Sequence, residues 1–175
     1  MKKIAIIPTM LTLGNAVCGF SSIVLASKID GLPESKYLFF SSAGLLFLAM
    51  VFDALDGYVA RLSKSASDFG GQLDSLCDAI SFGVAPAFLL LRMGLDWEAP
   101  LIRQAIAVIA VLYMVCAILR LARFNVQNSP DPASHKRFKG LPSPGAAGCV
   151  ASLAIMRSGV PSEWRSEERR VGKEC

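Results

Sequence analysis

Runs of apolar residues separated by short polar stretches divide most of the chain into five segments. They cover residues 4–27, 37–62, 73–91, 101–122 and 141–156. A helix needs about 20 residues to cross the hydrocarbon core of a bilayer, and the first four segments approach or exceed that length. The fifth is shorter and begins at a Pro-Ser-Pro sequence. The pattern predicts an all-α integral membrane protein, a polytopic helical bundle in which five transmembrane helices are present.

Composition and charge agree with a membrane location. Hydrophobic residues make up 53% of the 175 residues and charged residues 18%, against about 25% charged residues in an average soluble domain. These values exclude a disordered chain, a coiled coil and a disulfide scaffold, and they argue against an ordinary soluble enzyme. The net charge is +4, and basic residues lie between the apolar segments. This arrangement favours contact with anionic membrane lipids and predicts no nucleic-acid partner.

The basic residues also predict the orientation of the segments. Half of the 18 Lys and Arg residues precede the first segment or lie at and after the ends of the second and the fourth: Lys2, Lys3, Arg61, Lys64, Arg120, Arg123, Lys136, Arg137 and Lys139. Because connections rich in Lys and Arg stay on the cytoplasmic side, we expect the N-terminus inside. The connections after the second and fourth segments are then inside as well.

Four aspartates lie at the end of the second segment and the start of the third: Asp53, Asp56, Asp74 and Asp78. The i,i+3 and i,i+4 spacings place each pair on one helix face. Since the connection between the segments is short, we expect antiparallel neighbouring helices whose carboxylates face each other just inside the cytoplasmic surface.

Four such carboxylates need a compensating charge. Each ionised carboxylate costs roughly 2.5–3.5 kcal/mol near the middle of a membrane, and the four repel one another. Oxygen ligands suit Mg²⁺ or Mn²⁺, and two ions about 3.5–4 Å apart would fit such a set. A solvated ion-pair cluster is the alternative. The neighbouring Gly57, Ala60 and Gly70 expose backbone to a bulky ligand such as a nucleotide, or serve helix packing.

The fixed residues around these aspartates resemble the signature of the CDP-alcohol phosphatidyltransferase family. The pattern is Asp53-x2-Asp56-Gly57-x2-Ala60-Arg61-x8-Gly70-x3-Asp74-x3-Asp78. The resemblance implies a membrane core of six helices, usually homodimeric, that joins an alcohol to the phosphatidyl group of a CDP-linked lipid and releases CMP. It implies that Asp53, Asp56 and Asp74 are metal ligands. It also implies that Asp78 is the general base and a further contact of the metal. It also implies a CDP pocket lined by Gly57, Ala60, Arg61 and Gly70.

Residues 119–125 and 138–144 resemble the bacterial phosphatidylserine synthase branch of this family, as do residues 7–15. This branch implies the substrates CDP-diacylglycerol and L-serine, in a bacterial inner membrane with the active site facing the cytoplasm. Arg120, Arg123 and Lys139 could bind the serine carboxylate or a lipid phosphate, and Asn125 a polar substrate group. Positive-inside topology alone is the alternative role for the cations.

Other functions are compatible with parts of this pattern. Within the family, the acceptor could instead lead to phosphatidylglycerophosphate or be of the inositol type. Intramembrane carboxylates also mark the paths of cation transporters. A catalytically inactive membrane fragment is the third alternative.

The last eleven residues, 165–175, form a charged string without helical periodicity. They resemble the translation of a sequencing-adapter read-through, with a genuine polar tail as the alternative. We therefore expect residues 1–164 to form the membrane domain. The natural protein would then continue with at least one more membrane helix.

Overall fold

The computed structural model describes residues 6–29, 35–62, 68–95, 99–127 and 142–159, and all regular structure in these ranges is helical. The helices are α1 (Ile6–Ser27), α2 (Ser35–Leu62), α3 (Asp68–Asp78), α4 (Ala85–Gly94), α5 (Pro100–Gln127) and α6 (Ser143–Gly159). The predicted all-α class is confirmed. Four of the predicted segments correspond to α1, α2, α5 and α6, and the third corresponds to α3, α4 and the residues between them. The charged string 165–175 lies outside the described residues.

The third predicted segment is longer than its apolar core. The helical residues extend from Asp68 to Gly94, so polar residues before the apolar core form the first turn of α3. Between α3 and α4, residues Ala79–Val84 form a π-helical turn that periodicity does not predict. The Tyr113 hydroxyl of α5 donates to the Phe82 carbonyl in this turn at 3.0 Å.

Within the described residues, four helices are long and apolar enough to span a membrane: Ile6–Ser27, Lys36–Ala60, Phe69–Gly94 and Pro100–Val126. The fifth predicted span, α6, has 17 residues, or about 26 Å of helix. That is shorter than the hydrocarbon core of about 30 Å. The chain is a polytopic membrane protein in which α6 packs against α2 and α4.

Small side chains form much of the core. Ala26, Ala43, Ala85, Ala151 and Ala154 are all fully buried where α1, α2, α4 and α6 meet, around Phe39, Leu46 and Leu89. Lipid is as apolar as this core, so helices associate through close packing rather than through hydrophobic burial. α1 packs most extensively against α2, and α5 lies at the periphery of the bundle.

Two buried serines join α1 to α2. The hydroxyls of Ser22 and Ser42 lie 2.8 Å apart, and each is 2.9 Å from the backbone carbonyl of the other residue. Replacing both by alanine should reveal a coupling free energy of about 0.6–1.7 kcal/mol, the range for hydrogen bonds between membrane helices. A double-mutant cycle on reversible unfolding in mixed micelles measures it.

Ser27→Ala is the matched control for this cycle. The Ser27 hydroxyl is exposed and bonds within its own helix, to the Val24 carbonyl at 2.8 Å. It should leave the free energy of unfolding unchanged. A coupling of zero between Ser22 and Ser42 would contradict the predicted interhelical bond.

Candidate functional site

The four aspartates lie at one end of the bundle and at matching depths. Asp56 lies six residues before the end of α2 and Asp74 six after the start of α3. Asp53 and Asp78 lie nine and ten residues from the same ends. At 1.5 Å per residue, all four are about 9–15 Å from the ends of their helices. The register along each helix therefore brings the two pairs to the same level.

Three of the aspartates form a compact oxygen cluster. One carboxylate oxygen from each of Asp53, Asp56 and Asp74 lies within 4.8 Å of the others. Asp56 is 5% exposed. One buried oxygen of Asp56 and one of Asp74 have no hydrogen-bond partner among the described residues. The predicted convergence of α2 and α3 carboxylates is confirmed for these three residues.

This donor set fits a divalent cation. Like charges at this separation repel strongly where water is scarce, and buried carboxylate oxygens without hydrogen bonds are costly. A hard cation with oxygen ligands would satisfy both conditions at once. The cluster can therefore bind a metal ion, with Asp53, Asp56 and Asp74 as the residues that would hold it.

Asp78 occupies a different environment from the other three. It is the last residue of α3, immediately before the π-helical turn, and it is 9% exposed. The amide nitrogen of Asn15 in α1 donates to its Oδ1 at 2.9 Å. Asp78 is not part of the three-residue oxygen cluster of Asp53, Asp56 and Asp74.

α1 is the element that organises this end of the bundle. It packs against α2, α3 and the π-helical turn, whereas α2 and α3 make at most marginal backbone contact within the described residues. The expectation that α2 and α3 are close neighbours is therefore correct only for their carboxylates. The carboxylates of the two helices meet beside α1, whose Thr12 side chain lies next to the Asp56 carboxylate.

The residues expected to line a nucleotide pocket flank the aspartate cluster. Gly57, Ala60 and Gly70 are each partly exposed. A Cβ atom at Gly57 would meet no heavy atom of the described residues within 4 Å. Helix packing therefore does not require glycine at this position. The side chain of Arg61 is not among the described ones.

The residues expected to bind the acceptor are distributed over two contacts. Asn125, near the end of α5, accepts a hydrogen bond from Ser75 of α3 at 2.9 Å, next to Asp74 in the chain. Arg120 donates to the Ser143 hydroxyl at the start of α6, also at 2.9 Å. Arg123 is exposed. Lys139 lies outside the described residues.

Sequence reasoning gave Asn15 no role, although the structure places it against Asp78. Asn15 could have been recognised from the sequence, because an amide in the middle of an apolar helix is rare and needs a hydrogen-bond partner. Asn15 is fully buried. Thr12, one turn earlier, belongs to the same face of α1 and donates to the Pro8 carbonyl at 2.9 Å.

Comparison with known proteins gives consistent matches. The model of the family described as CDP-alcohol phosphatidyltransferase matches residues 5–164. A CDP-diacylglycerol–serine O-phosphatidyltransferase of Methanocaldococcus jannaschii is 37% identical over 147 residues, covering 84% of this chain and 59% of that protein. The archaetidylserine synthase of Methanothermobacter thermautotrophicus is 39% identical over 151 residues, covering 85% and 58%.

A bacterial relative is similar over the same part of the chain. The CDP-diacylglycerol–serine O-phosphatidyltransferase of Bacillus subtilis is 35% identical over 149 residues, covering 85% of this chain and 75% of that protein. The chain thus spans less than two thirds of the first two relatives and three quarters of the third.

Proposed function

We propose that this chain, which belongs to the CDP-alcohol phosphatidyltransferase family, transfers the phosphatidyl group of CDP-diacylglycerol to L-serine. The products are phosphatidylserine and CMP. The observation that carries the proposal is the convergence of Asp53, Asp56 and Asp74 oxygens within 4.8 Å, a donor set suited to a diphosphate-bound cation.

The aspartate cluster would act on the diphosphate of the substrate. Asp53, Asp56 and Asp74 would hold divalent cations, which we predict to be two ions of Mg²⁺ or Mn²⁺ with Asp78 as an additional contact. When bound, such ions neutralise charge that builds up on the diphosphate oxygens and on the departing CMP. The partly exposed backbone at Gly57, Ala60 and Gly70 would leave room for the CDP moiety, with Arg61 beside it.

Asp78 would take the proton of the acceptor. In the proposed step its carboxylate accepts the serine hydroxyl proton, and the serine oxygen forms a bond to the phosphorus that carries diacylglycerol. The bond from that phosphorus to the bridging diphosphate oxygen breaks, and CMP leaves with the electron pair. A positioned carboxylate of this kind contributes typically 10²–10⁴-fold to the rate.

The choice of serine is supported by the reactions for which the relatives are named. Two are named for serine transfer and one for archaetidylserine. Arg120, Arg123, Lys139 and Asn125 stay our predicted contacts for the serine carboxylate or a lipid phosphate. We also propose a homodimer in the bacterial inner membrane, with the N-terminus and the aspartates on the cytoplasmic side.

An acceptor comparison tests the proposed function. The purified protein in detergent receives labelled CDP-diacylglycerol and Mn²⁺ or Mg²⁺, together with serine, glycerol 3-phosphate or inositol phosphate. Of the three acceptors, we expect only serine to give CMP release and labelled phosphatidylserine. Release only with glycerol 3-phosphate would contradict the acceptor, and release with none of them would contradict the transferase function.

Gly57→Ala tests the predicted nucleotide pocket. Because the added methyl group meets no heavy atom of the described residues within 4 Å, the variant should fold normally. A bound CDP moiety would be displaced by it, at a cost of about 1–3 kcal/mol, so KM for CDP-diacylglycerol should rise about 5- to 150-fold. Steady-state kinetics at saturating serine measure this.

Gly44→Ala is the matched control on the same helix. A Cβ at Gly44 also meets no heavy atom of the described residues within 4 Å, but it lies 12 residues before Asp56 in α2. Its KM should equal that of the unmodified protein. Equal KM values for both variants would place the nucleotide away from Gly57.

A further inference from the structure

Asn15 makes a buried contact whose purpose packing alone does not explain. It lies within an apolar run of α1 and is fully buried. A buried amide in a membrane helix is costly unless it is hydrogen-bonded. Its nitrogen donates across the helix interface to Oδ1 of Asp78, 63 residues later in the chain, at 2.9 Å. The contact therefore joins α1 to the one aspartate outside the three-residue cluster.

A second contact holds the backbone next to this bond. The Ser81 hydroxyl in the π-helical turn donates to the Asn15 backbone carbonyl at 3.0 Å. The turn begins at the residue after Asp78, but this bond involves no atom of the Asp78 carboxylate. Asn15 thus makes two separate contacts: its amide bonds the Asp78 side chain, and its backbone carbonyl joins α1 to the turn.

We propose that Asn15 is a positioning residue for Asp78. By holding Oδ1, its amide prevents rotation of the carboxylate and directs the other oxygen toward the acceptor hydroxyl. Asn15 acts through Asp78 and does not contact substrate, because it is fully buried. The inference rests on the proposed function, since it takes Asp78 as the proton acceptor. A general base must lie about 2.6–3.2 Å from its proton donor, and a displacement of 1 Å can cost about 10²-fold in rate.

The test separates this role from simple tethering of two helices. Asn15→Leu keeps the branching at Cγ but removes the donor, and Asn15→Asp keeps the shape but replaces the donor by a carboxylate. Ser81→Ala is the matched control, because it removes the other α1 contact and leaves the Asn15 amide in place. The Asn15 carbonyl keeps its bond within α1 in that variant.

We expect both Asn15 variants to lower kcat about 100-fold while the affinity for CDP-diacylglycerol with Mn²⁺ changes less than threefold. Ser81→Ala should stay within threefold of the unmodified protein in both quantities. In an Asp78→Asn background, Asn15→Leu should lower kcat no further, because the group through which it acts is already gone.

Each other outcome overturns the proposal. Equal kcat for Asn15→Leu and Ser81→Ala would mean that Asn15 only joins helices. A further loss in the Asp78→Asn background would mean that it acts elsewhere, and loss of CDP-diacylglycerol binding in both Asn15 variants would mean that it serves folding. Failure of the unmodified protein to release CMP with any acceptor would instead refute the proposed function, and this is measured first.

Discussion

Asp56→Asn is expected to abolish phosphatidyl transfer, with a loss of about 10³-fold or more in kcat. The side chain is buried, and one of its oxygens has no hydrogen-bond partner among the described residues. Removing the charge removes a cation ligand, and a bound cation contributes several kcal/mol of charge stabilisation in such reactions. Each 1.36 kcal/mol corresponds to a tenfold change in rate. CMP release under saturating substrates measures the loss.

The same variant should lose the stability that the protein gains from bound metal, while its stability without metal should not fall. Without metal, Asp56→Asn relieves repulsion with Asp53 and Asp74, so the chelated protein should be at least as stable as the unmodified one. With metal, the unmodified protein gains about 2.7 kcal/mol at 100 times the Kd, and the variant should lose most of this gain. Thermal unfolding with and without EDTA measures both.

Asp131→Asn is the control for the chemical change itself. It removes one carboxylate from the polar connection between the fourth and fifth segments and should leave activity and the metal-induced shift unchanged. A full metal-induced shift in Asp56→Asn would contradict the assignment of Asp56 as a ligand.

Gly19→Ala is expected to damage both stability and activity. A Cβ atom at Gly19 would lie 2.7 Å from the Cα and 2.9 Å from the Cβ of Ser81. The Cα belongs to the backbone of the π-helical turn, so α1 and the turn must separate to admit it. Overpacking of this kind costs typically about 1–3 kcal/mol. Unfolding in mixed micelles measures the loss.

The activity loss follows from the position of Gly19 on α1. It lies one turn after Asn15, on the same face, so separation of the helices would stretch the Asn15–Asp78 bond of 2.9 Å. We expect kcat to fall together with stability. Gly14→Ala is the control, because its Cβ would meet the Phe52 ring at 3.5 Å, an ordinary contact. Equal stability of the two variants would contradict the close approach.

The aspartate cluster could be predicted from the sequence because it depends on distances along two helices. The i,i+3 and i,i+4 spacings determine the faces, and the short connection determines the common depth. Among the described residues, Asp53, Asp56 and Asp74 do meet. The separate environment of Asp78 could not be predicted, since it depends on Asn15, which is far away in the sequence.

The sequence by itself determined where the helical segments lie, where most of the membrane spans lie and which carboxylates share a level. Those properties depend on local hydropathy and on the helical repeat. Only the tertiary structure decided that α1 holds Asp78, that a π-helical turn follows it, and that α6 packs within the bundle although it is short. The physical reason is that lipid and protein interior are equally apolar, so hydropathy does not distinguish the helix faces that contact each other from those that contact lipid.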